Sequence, residues 1–446
     1  MVASIKLTFH PRVSSTMTGY ASLVSIFKTQ QRNFSRLLAA GVLIAALQAP
    51  AGAADISLSR GLNMDQWVTW PAEDKWGDES ALFPFPEWRK FVSQERLASL
   101  RKDGFDFVRM PVDPSPFLSP RSAHFHDRLF DEVFASVQAL LAADLKVIVD
   151  LHLISRADNA AVGMEGVLSN EDRWTDYIAV VSGMAEKLSA LPASSVALEL
   201  MNEPGTACDA EGASNWQLRQ KSLHAAAREA APALPIVLTG GCAGTVEGLV
   251  ALDPKAYDDD NVLWTFHNYQ PFLLTHQGAQ WAGDLIRYVK GLSYPPSGPG
   301  KKVLEARLRD IEQRISKEAP VLRRAGMRAW VREQMALIDT PQKLERTVAA
   351  PFDMVANWAK QNNVKPGDIL LGEFGMIRQE YQGDFIMPPQ DRAAYVKDII
   401  GHAEKAGYAW AIWSYGGAFG IVESFDGKDA EPDVMNVVRT LPERFR

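Results

Sequence analysis

The sequence predicts an α/β chain whose strands close into a parallel (β/α)8 barrel, and three observations carry that expectation. Short β-rich runs alternate with helical segments along residues 55–446, the order that builds a parallel sheet with helical crossovers. There are eight such runs, a number that suits a closed barrel. Polar side chains that a buried parallel strand disfavours gather at the C-terminal ends of the runs, the end at which barrel sites are built.

The first four runs are ISLSRGLNM (56–64), FDFVRMPV (105–112), LKVIVDLH (145–152) and VALELMNE (196–203). The second four are LPIVLTGG (234–241), VLWTFHNY (262–269), DILLGEFG (368–375) and YAWAIWSY (408–415). Each is rich in β-branched, aromatic or aliphatic residues and short enough for a strand. Between them, segments such as RLFDEVFASVQALLAAD (128–144) repeat apolar residues at three- and four-residue spacing, which predicts a helix with one buried face. About 100 residues separate the sixth run from the seventh, so a helical insertion is expected there, over about 270–345. Within it SYPPSGPGKK (293–302) reads as a turn, and the charged stretch 303–338 as solvated amphipathic helices. The insertion is expected to stand as a flap beside the open end of the barrel, since it starts just past the sixth strand.

Composition bounds the partners. Hydrophobic residues at 47% and charged residues at 23% of 446 describe a globular chain with a large core, which needs no disulfide scaffold to fold. A net charge of −7 disfavours nucleic acid or an anionic membrane surface and leaves a neutral small molecule or polymer. Residues 37–47, LLAAGVLIAAL, follow Arg32 and Arg36 and precede APAGAAD. That is the order of an export signal, with cleavage expected after Ala53 or Ala54. An eleven-residue run is too short to span a membrane, which takes about 20 residues. Residues 1–54 are therefore read as a signal peptide with an N-terminal extension, and the mature chain as exported to the periplasm or the cell exterior. No transmembrane segment is expected, and a monomer is.

The strand-end polar residues are Arg109, His152, Asn202, Glu203, His267, Tyr269, Glu373 and Trp413. Any one of them alone would pass for a satisfied structural residue; together they converge on one face of a barrel. At this point the sequence resembles glycoside hydrolase family 5, a family of retaining glycosidases on the (β/α)8 TIM barrel. MNEPG at 201–205 is similar to that family's acid/base segment and GEFG at 372–375 to its nucleophile strand. The resemblance covers about 56–420 and implies the Arg, His, Asn-Glu, His-x-Tyr, Glu and Trp set in that chain order, which these eight residues fill. It implies Glu203 as acid/base and Glu373 as nucleophile, with the other six binding substrate, in a catalytic domain over 55–446.

The chemistry independently asks for that pairing. Retaining cleavage of a glycosidic bond needs two carboxyl groups about 5 to 5.5 Å apart, one protonated and one ionised. Arg109 and Tyr269 are expected to hold Glu373 ionised, Asn202 to meet the sugar 2-hydroxyl, His152 and His267 to meet sugar hydroxyls or the acid, and Trp413 to stack on the sugar ring. Trp67, Trp70 and Trp76 follow the first strand, and either a subsite or a packing role suits them. Trp216, Trp264, Trp330 and Trp358 are read as packing. Cys208 and Cys242, the only cysteines, lie at the same end of neighbouring strands and are expected to pair once exported, two free thiols being the alternative. No GxSxG, HExxH, Walker or GxGxxG motif occurs, so esterase, metalloprotease, NTPase and dinucleotide chemistry lack support, and neither a metal nor a cofactor is expected. The predicted function is cleavage of β-glucosidic linkages in a polysaccharide, endo-β-1,4-glucanase-like. A β-mannanase, an exo-β-1,3-glucanase and a non-catalytic carbohydrate-binding barrel are the alternatives.

Overall fold

In the computed structural model, which describes residues 56–83, 92–154, 161–381, 383–424 and 428–442, eight parallel strands pair in chain order and close on themselves. The strands are β1 Arg60–Asn63, β2 Phe107–Val112, β3 Lys146–Leu151, β4 Val196–Glu199, β5 Ile236–Thr239, β6 Val262–His267, β7 Ile369–Phe374 and β8 Ala409–Ile412. Each falls inside a run read as a strand. Closure is made by β1 and β8, which pair through Arg60 with Trp410 and Leu62 with Ile412. Residues 50–446 form one compact unit. The apolar run 37–47 and its cleavage region lie outside the described residues. No helix among the described residues is long and apolar enough to cross a membrane.

The main crossover helices are α1 Gln94–Asp103, α2 His126–Leu141, α3 Glu171–Leu188, α4 Ala210–Ala230 and the short α5 Val246–Val250. Further along come α6 Lys301–Glu318, α7 Arg324–Ala336, α8 Pro341–Asn362, α9 Pro389–Ala406 and α10 Pro432–Arg439. Their starts are chemically marked: Ser93, Asn170, Asp209 and Thr340 each accept a first-turn backbone N–H through the side chain, satisfying one of the donors a helix start leaves open. In α2 the buried residues are Leu129, Phe130, Val133, Ser136, Val137 and Leu140, the stripe that the three- and four-residue spacing predicts.

The barrel interior is layered by the two-residue period of the strands. Phe107, Ile148, Ala197, Val237, Leu263, Leu370 and Ala409 form an inner apolar cluster, separate from the larger core between strands and helices. Phe107 fills the space beneath Gly61, where a Cβ would come 2.2 Å from its ring. Two residues further along the same faces stand Arg109, Asp150, Glu199, Thr239 and Thr265, all buried. Two more bring His152 and His267 to the open end. Along this axis the interior therefore passes from hydrocarbon to charge to the two imidazoles at the open end.

One strand breaks the alternation. Between β6 and β7 the register runs Thr265 with Leu370 and Phe266 with Leu371, then skips to His267 with Glu373. The extra residue is Gly372, whose Cβ would meet Thr265 Oγ1 at 2.4 Å and His267 Nε2 at 3.1 Å. Leu371 belongs to the outer core and Leu370 to the inner one. Strict alternation would therefore turn Glu373 outward, and the bulge turns it into the barrel.

The stretch between β6 and β7 contains α6, α7 and α8. It is not an appendage: Leu292, Ile311, Ile315, Met327, Val331, Met335 and Ile338 are buried in the same core as the barrel helices. Its charged faces carry surface pairs such as Arg332 with Glu312.

Candidate active site

Arg109 is the centre of the charge layer. Its Nε and Nη2 donate to the two oxygens of Glu199 at 2.7 and 2.9 Å. Nη2 also donates to Asn202 Oδ1 at 2.9 Å and lies 3.0 Å from Asp150 Oδ2. Nη1 donates to Asn63 Oδ1 at 3.0 Å and to Glu373 Oε1 at 2.7 Å. One guanidinium with no exposed surface thus orients three carboxylates through a rigid fork of donors. Burial raises the Glu199 pKa, with Asp150 adding to the rise and Arg109 opposing it. For Asp150, burial is outweighed by Arg109 and by His152, and the pKa is lowered.

Glu373 is held at its other oxygen by the Tyr269 hydroxyl, which donates at 2.8 Å. Both groups read from the sequence as donors to this carboxylate contact it. Across the cleft His267 Nδ1 lies 2.7 Å from Glu203 Oε1 and 3.6 Å from Glu373 Oε2. One oxygen of Glu203, one oxygen of Glu373 and a ring nitrogen of His267 all lie within 4.8 Å of one another. By distance alone these three could ligate a cation, but the Arg109 charge already sits on Glu373. Burial lowers the His267 pKa against the pull of Glu373, so its ring is neutral near pH 7. Burial raises the pKa of Glu203, opposed by the charges of His152 and Arg109. The two carboxyls therefore meet different fields: Glu373 faces a buried cation and a hydroxyl donor, and Glu203 faces a neutral ring.

His152 extends the same network. Its Nδ1 lies 2.7 Å from Asp150 Oδ2, and its Nε2 faces Asn202 Nδ2 at 3.3 Å. Burial opposes charging of this ring, but Asp150 outweighs it and the pKa is raised. The ring stacks against Trp413, centroids 5.6 Å apart at 18°, so the Trp413 indole is braced from beneath.

Glu203 sits four residues past the end of β4 with φ of +27°, a left-handed backbone that is strained for a residue with a Cβ. The loop after β5 supports it. Cys242 and Ala243 are also left-handed, at φ +53° and +56°, and the following Gly244 is tight against Glu203, since a Cβ there would lie 3.2 Å from Glu203 Cγ. Ala243 N donates to Pro204 O at 2.9 Å and Cys242 N to Thr206 Oγ1 at 3.0 Å. The Cys208–Cys242 disulfide ties the two loops together.

Two cavities flank this centre. One of about 380 Å³ is lined by Asp65, Gln66, His152, Trp281, Tyr381, Trp413 and Phe419. The other, about 770 Å³, is lined by Glu203, His267, Tyr269, helix α5 and the facing parts of α7 and α8. All eight strand-end residues read from the sequence meet at this place. Trp67, Trp70 and Trp76 do not: they are 2%, 8% and 0% exposed and line neither cavity. Trp70 and Trp76 donate their indole N–H groups to the carbonyls of Asp113 and Pro71, so packing claims these rings. The sequence reading missed Asn63, Asp65, Asp150, Glu199, Trp281 and Tyr381. An ionisable residue inside an otherwise apolar run, as in IVDLH and ALELM, was the available signal for Asp150 and Glu199.

A parallel barrel that points two carboxyls into a cleft at the C-terminal ends of its strands, one held by a buried guanidinium and a hydroxyl and the other beside an imidazole, has the layout of a glycoside-cleaving enzyme. The chain matches the family model described as "Cellulase (glycosyl hydrolase family 5)" over residues 73–419 and belongs to that family. It is 20% identical over 393 residues to Endoglucanase 3 of Fibrobacter succinogenes, covering 82% of this chain and 51% of that protein. It is 18% identical over 384 residues to Endoglucanase C of Acetivibrio thermocellus, covering 86% of this chain and 98% of that one. The chain thus spans about half the length of the first relative and nearly all of the second. Among solved structures, that of Thermotoga maritima Cel5A in complex with cellobiose superposes with a TM-score of 0.57 at 19% identity, covering 85% of this chain and 97% of that one.

Proposed function

We propose that this chain is a retaining glycosidase that hydrolyses β-glucosidic linkages in a polysaccharide, endo-β-1,4-glucanase-like. The observation that carries the reading is the Glu203–Glu373 pair, with oxygens within 4.8 Å of one another. That is close to the separation of about 5 to 5.5 Å at which one carboxylate attacks directly, and short of the roughly 6.5 to 9.5 Å that leave room for an intervening water. Glu373, which accepts hydrogen bonds from Arg109 and Tyr269, attacks the anomeric carbon as its carboxylate. Glu203, whose raised pKa keeps its proton, gives that proton to the leaving oxygen and then takes one from the incoming water. Asn202 uses its Oδ1 on Arg109 and keeps amide N–H capacity for the sugar 2-hydroxyl, while Trp413 supports the ring whose bond is cut. Open space on both sides of Glu203 suits cleavage within a chain, and the endoglucanase relatives favour a glucan. Export is supported by the apolar run 37–47 and by the disulfide, which persists in an oxidising compartment.

Proton NMR of the first product from a β-linked glucan tests the mechanism. An initial β-anomer is expected, and an initial α-anomer removes Glu373 from the nucleophile role. Reducing ends released from a panel of β-glucans and β-mannans test the substrate, with the largest kcat/KM expected on a β-1,4-glucan.

A further inference from the structure

The net charge of −7 is not spread evenly along the chain. Residues 301–338 hold ten Lys and Arg against five Asp and Glu, a local positive excess in an acidic protein, which the chain-wide total averages away. The excess is densest around the turn that joins α6 to α7: from Arg314 to Arg328 there are five basic residues and one acidic residue, Glu318. Arg323 is paired with Asp284, and Arg314 donates to the Tyr288 carbonyl. Arg324 donates to the Ala319 carbonyl at 2.8 Å and Arg328 to the Ser316 hydroxyl at 2.9 Å. Those partners are neutral, so they fix the two guanidinium groups without cancelling their charge. Lys317, whose carbonyl also accepts from Arg324, is exposed beside them.

The turn itself carries hydrocarbon. Val321–Arg323 is a single 3₁₀ turn with no buried residue, and in it Val321 is 72% and Leu322 98% exposed. One apolar side chain on a surface is ordinary. Two adjacent ones at a convex turn inside a basic stretch are not, and the fold holds them out. The Arg323 N–H donates to the Pro320 carbonyl at 2.9 Å, and Ile315 on α6 and Met327 on α7 are buried on either side, so turning the pair inward would unpack both helices.

We infer that this turn docks the protein on an anionic lipid surface, Val321 and Leu322 entering the boundary between headgroups and acyl chains while Lys317, Arg324 and Arg328 meet the lipid phosphates. Charge complementarity favours an anionic partner, and the convex tip favours one that can be entered. A rigid flat face would cover little of either side chain, whereas a bilayer takes in both. The docked edge lies beside the cleft. Asp284, the partner of Arg323, is three residues past Trp281, which lines the smaller cavity, and α7 runs from the turn to Ala336, which lines the larger one.

The test is co-sedimentation of the full chain with phosphatidylcholine vesicles, with and without phosphatidylglycerol. Residues 1–54 are common to wild type and variants, so differences among them report on the turn. Binding is expected to need phosphatidylglycerol and to weaken as salt screens the charges. V321S/L322S should lower the partition coefficient about ten-fold or more, and K317Q/R328Q about five-fold per charge removed, whereas K317R/R328K should bind as wild type does. Urea midpoints should stay unchanged throughout, since none of the four side chains is buried. Vesicle binding that is absent, that is equal without phosphatidylglycerol, or that survives V321S/L322S overturns the proposal. Two controls then say what the patch meets instead: dextran sulfate bound equally by wild type and V321S/L322S assigns it to a soluble polyanion, and self-association lost in V321S/L322S assigns the turn to a second copy of this chain.

Discussion

Glu203 and Glu373 lie within hydrogen-bonding reach of the same histidine or nearly so, at 2.7 and 3.6 Å, yet the sequence around each prepares it for a different task. Because burial raises the Glu203 pKa, its proton survives above the usual range of a carboxyl group. Activity should therefore follow a bell in pH: the alkaline limb falls as Glu203 loses its proton, and the acid limb falls as the pair takes up a second one. Glu203→Gln should remove the alkaline limb, which a pH series of kcat/KM reads. Glu203→Ala should lower turnover of unactivated glucan about 10²- to 10⁴-fold and spare activated aryl glycosides, where azide should restore rate and yield a β-glycosyl azide. Glu373→Gln should lose nearly all turnover on both. Asp65 offers a separate residue-level test. Burial, opposed by the Gly416 N–H and Ser414, raises its pKa from 3.8 to about 7. Between those values the folded state holds a proton that the unfolded state has released, so its contribution to stability falls as pH rises from about 4 to about 7 and is flat above. The whole excursion is on the order of 4 kcal/mol. Asp65→Asn should shrink the difference between urea midpoints at pH 5 and pH 7.5; an unchanged difference would mean that Asp65 titrates normally.

At the scale of elements, the β6–β7 register shift matters most for chemistry, because it alone turns Glu373 inward. Gly372→Ala should cost about 1 to 3 kcal/mol by overpacking, since its Cβ would press on Thr265 and His267, and should depress kcat through His267 and Glu373. Full activity in that variant would show the bulge to be adaptable. The stretch between β6 and β7 was legible as helical from its charge pattern, but its burial was not. Ile311 and Met327 are 0% and 1% exposed, so replacing either with alanine should cost about 2 to 5 kcal/mol in chemical denaturation. A segment that merely flapped over the cleft would show almost no loss.

Over the whole molecule, closure and cross-linking set how firmly the site is held. The Cys208–Cys242 bridge closes a loop with a sequence separation of 34, which in the chain-entropy account contributes about 4 kcal/mol. The double serine variant should lose stability of that order, and unreduced mass spectrometry should find neither thiol open to alkylation in the native protein. Much of this protein is determined by its sequence alone, because it is written in local pattern. The eight strands follow from runs of β-branched and aromatic residues, the crossover helices from three- and four-residue apolar spacing, and the site from polar residues at strand ends. Arg109, His152 and His267 could be placed inside by the two-residue period, which puts them in line with Phe107, Ile148 and Leu263. Tertiary structure alone decided what depends on partners distant in the chain. A register skip against β6 aims Glu373, a left-handed turn braced by the loop after β5 aims Glu203, and neither is encoded in local propensity. Asp150 and Glu199 pass for strand residues until Arg109 is seen to pair with both. Trp67, Trp70 and Trp76 could be packing or platform until neighbouring elements covered them, since burial of a side chain is a property of what folds over it.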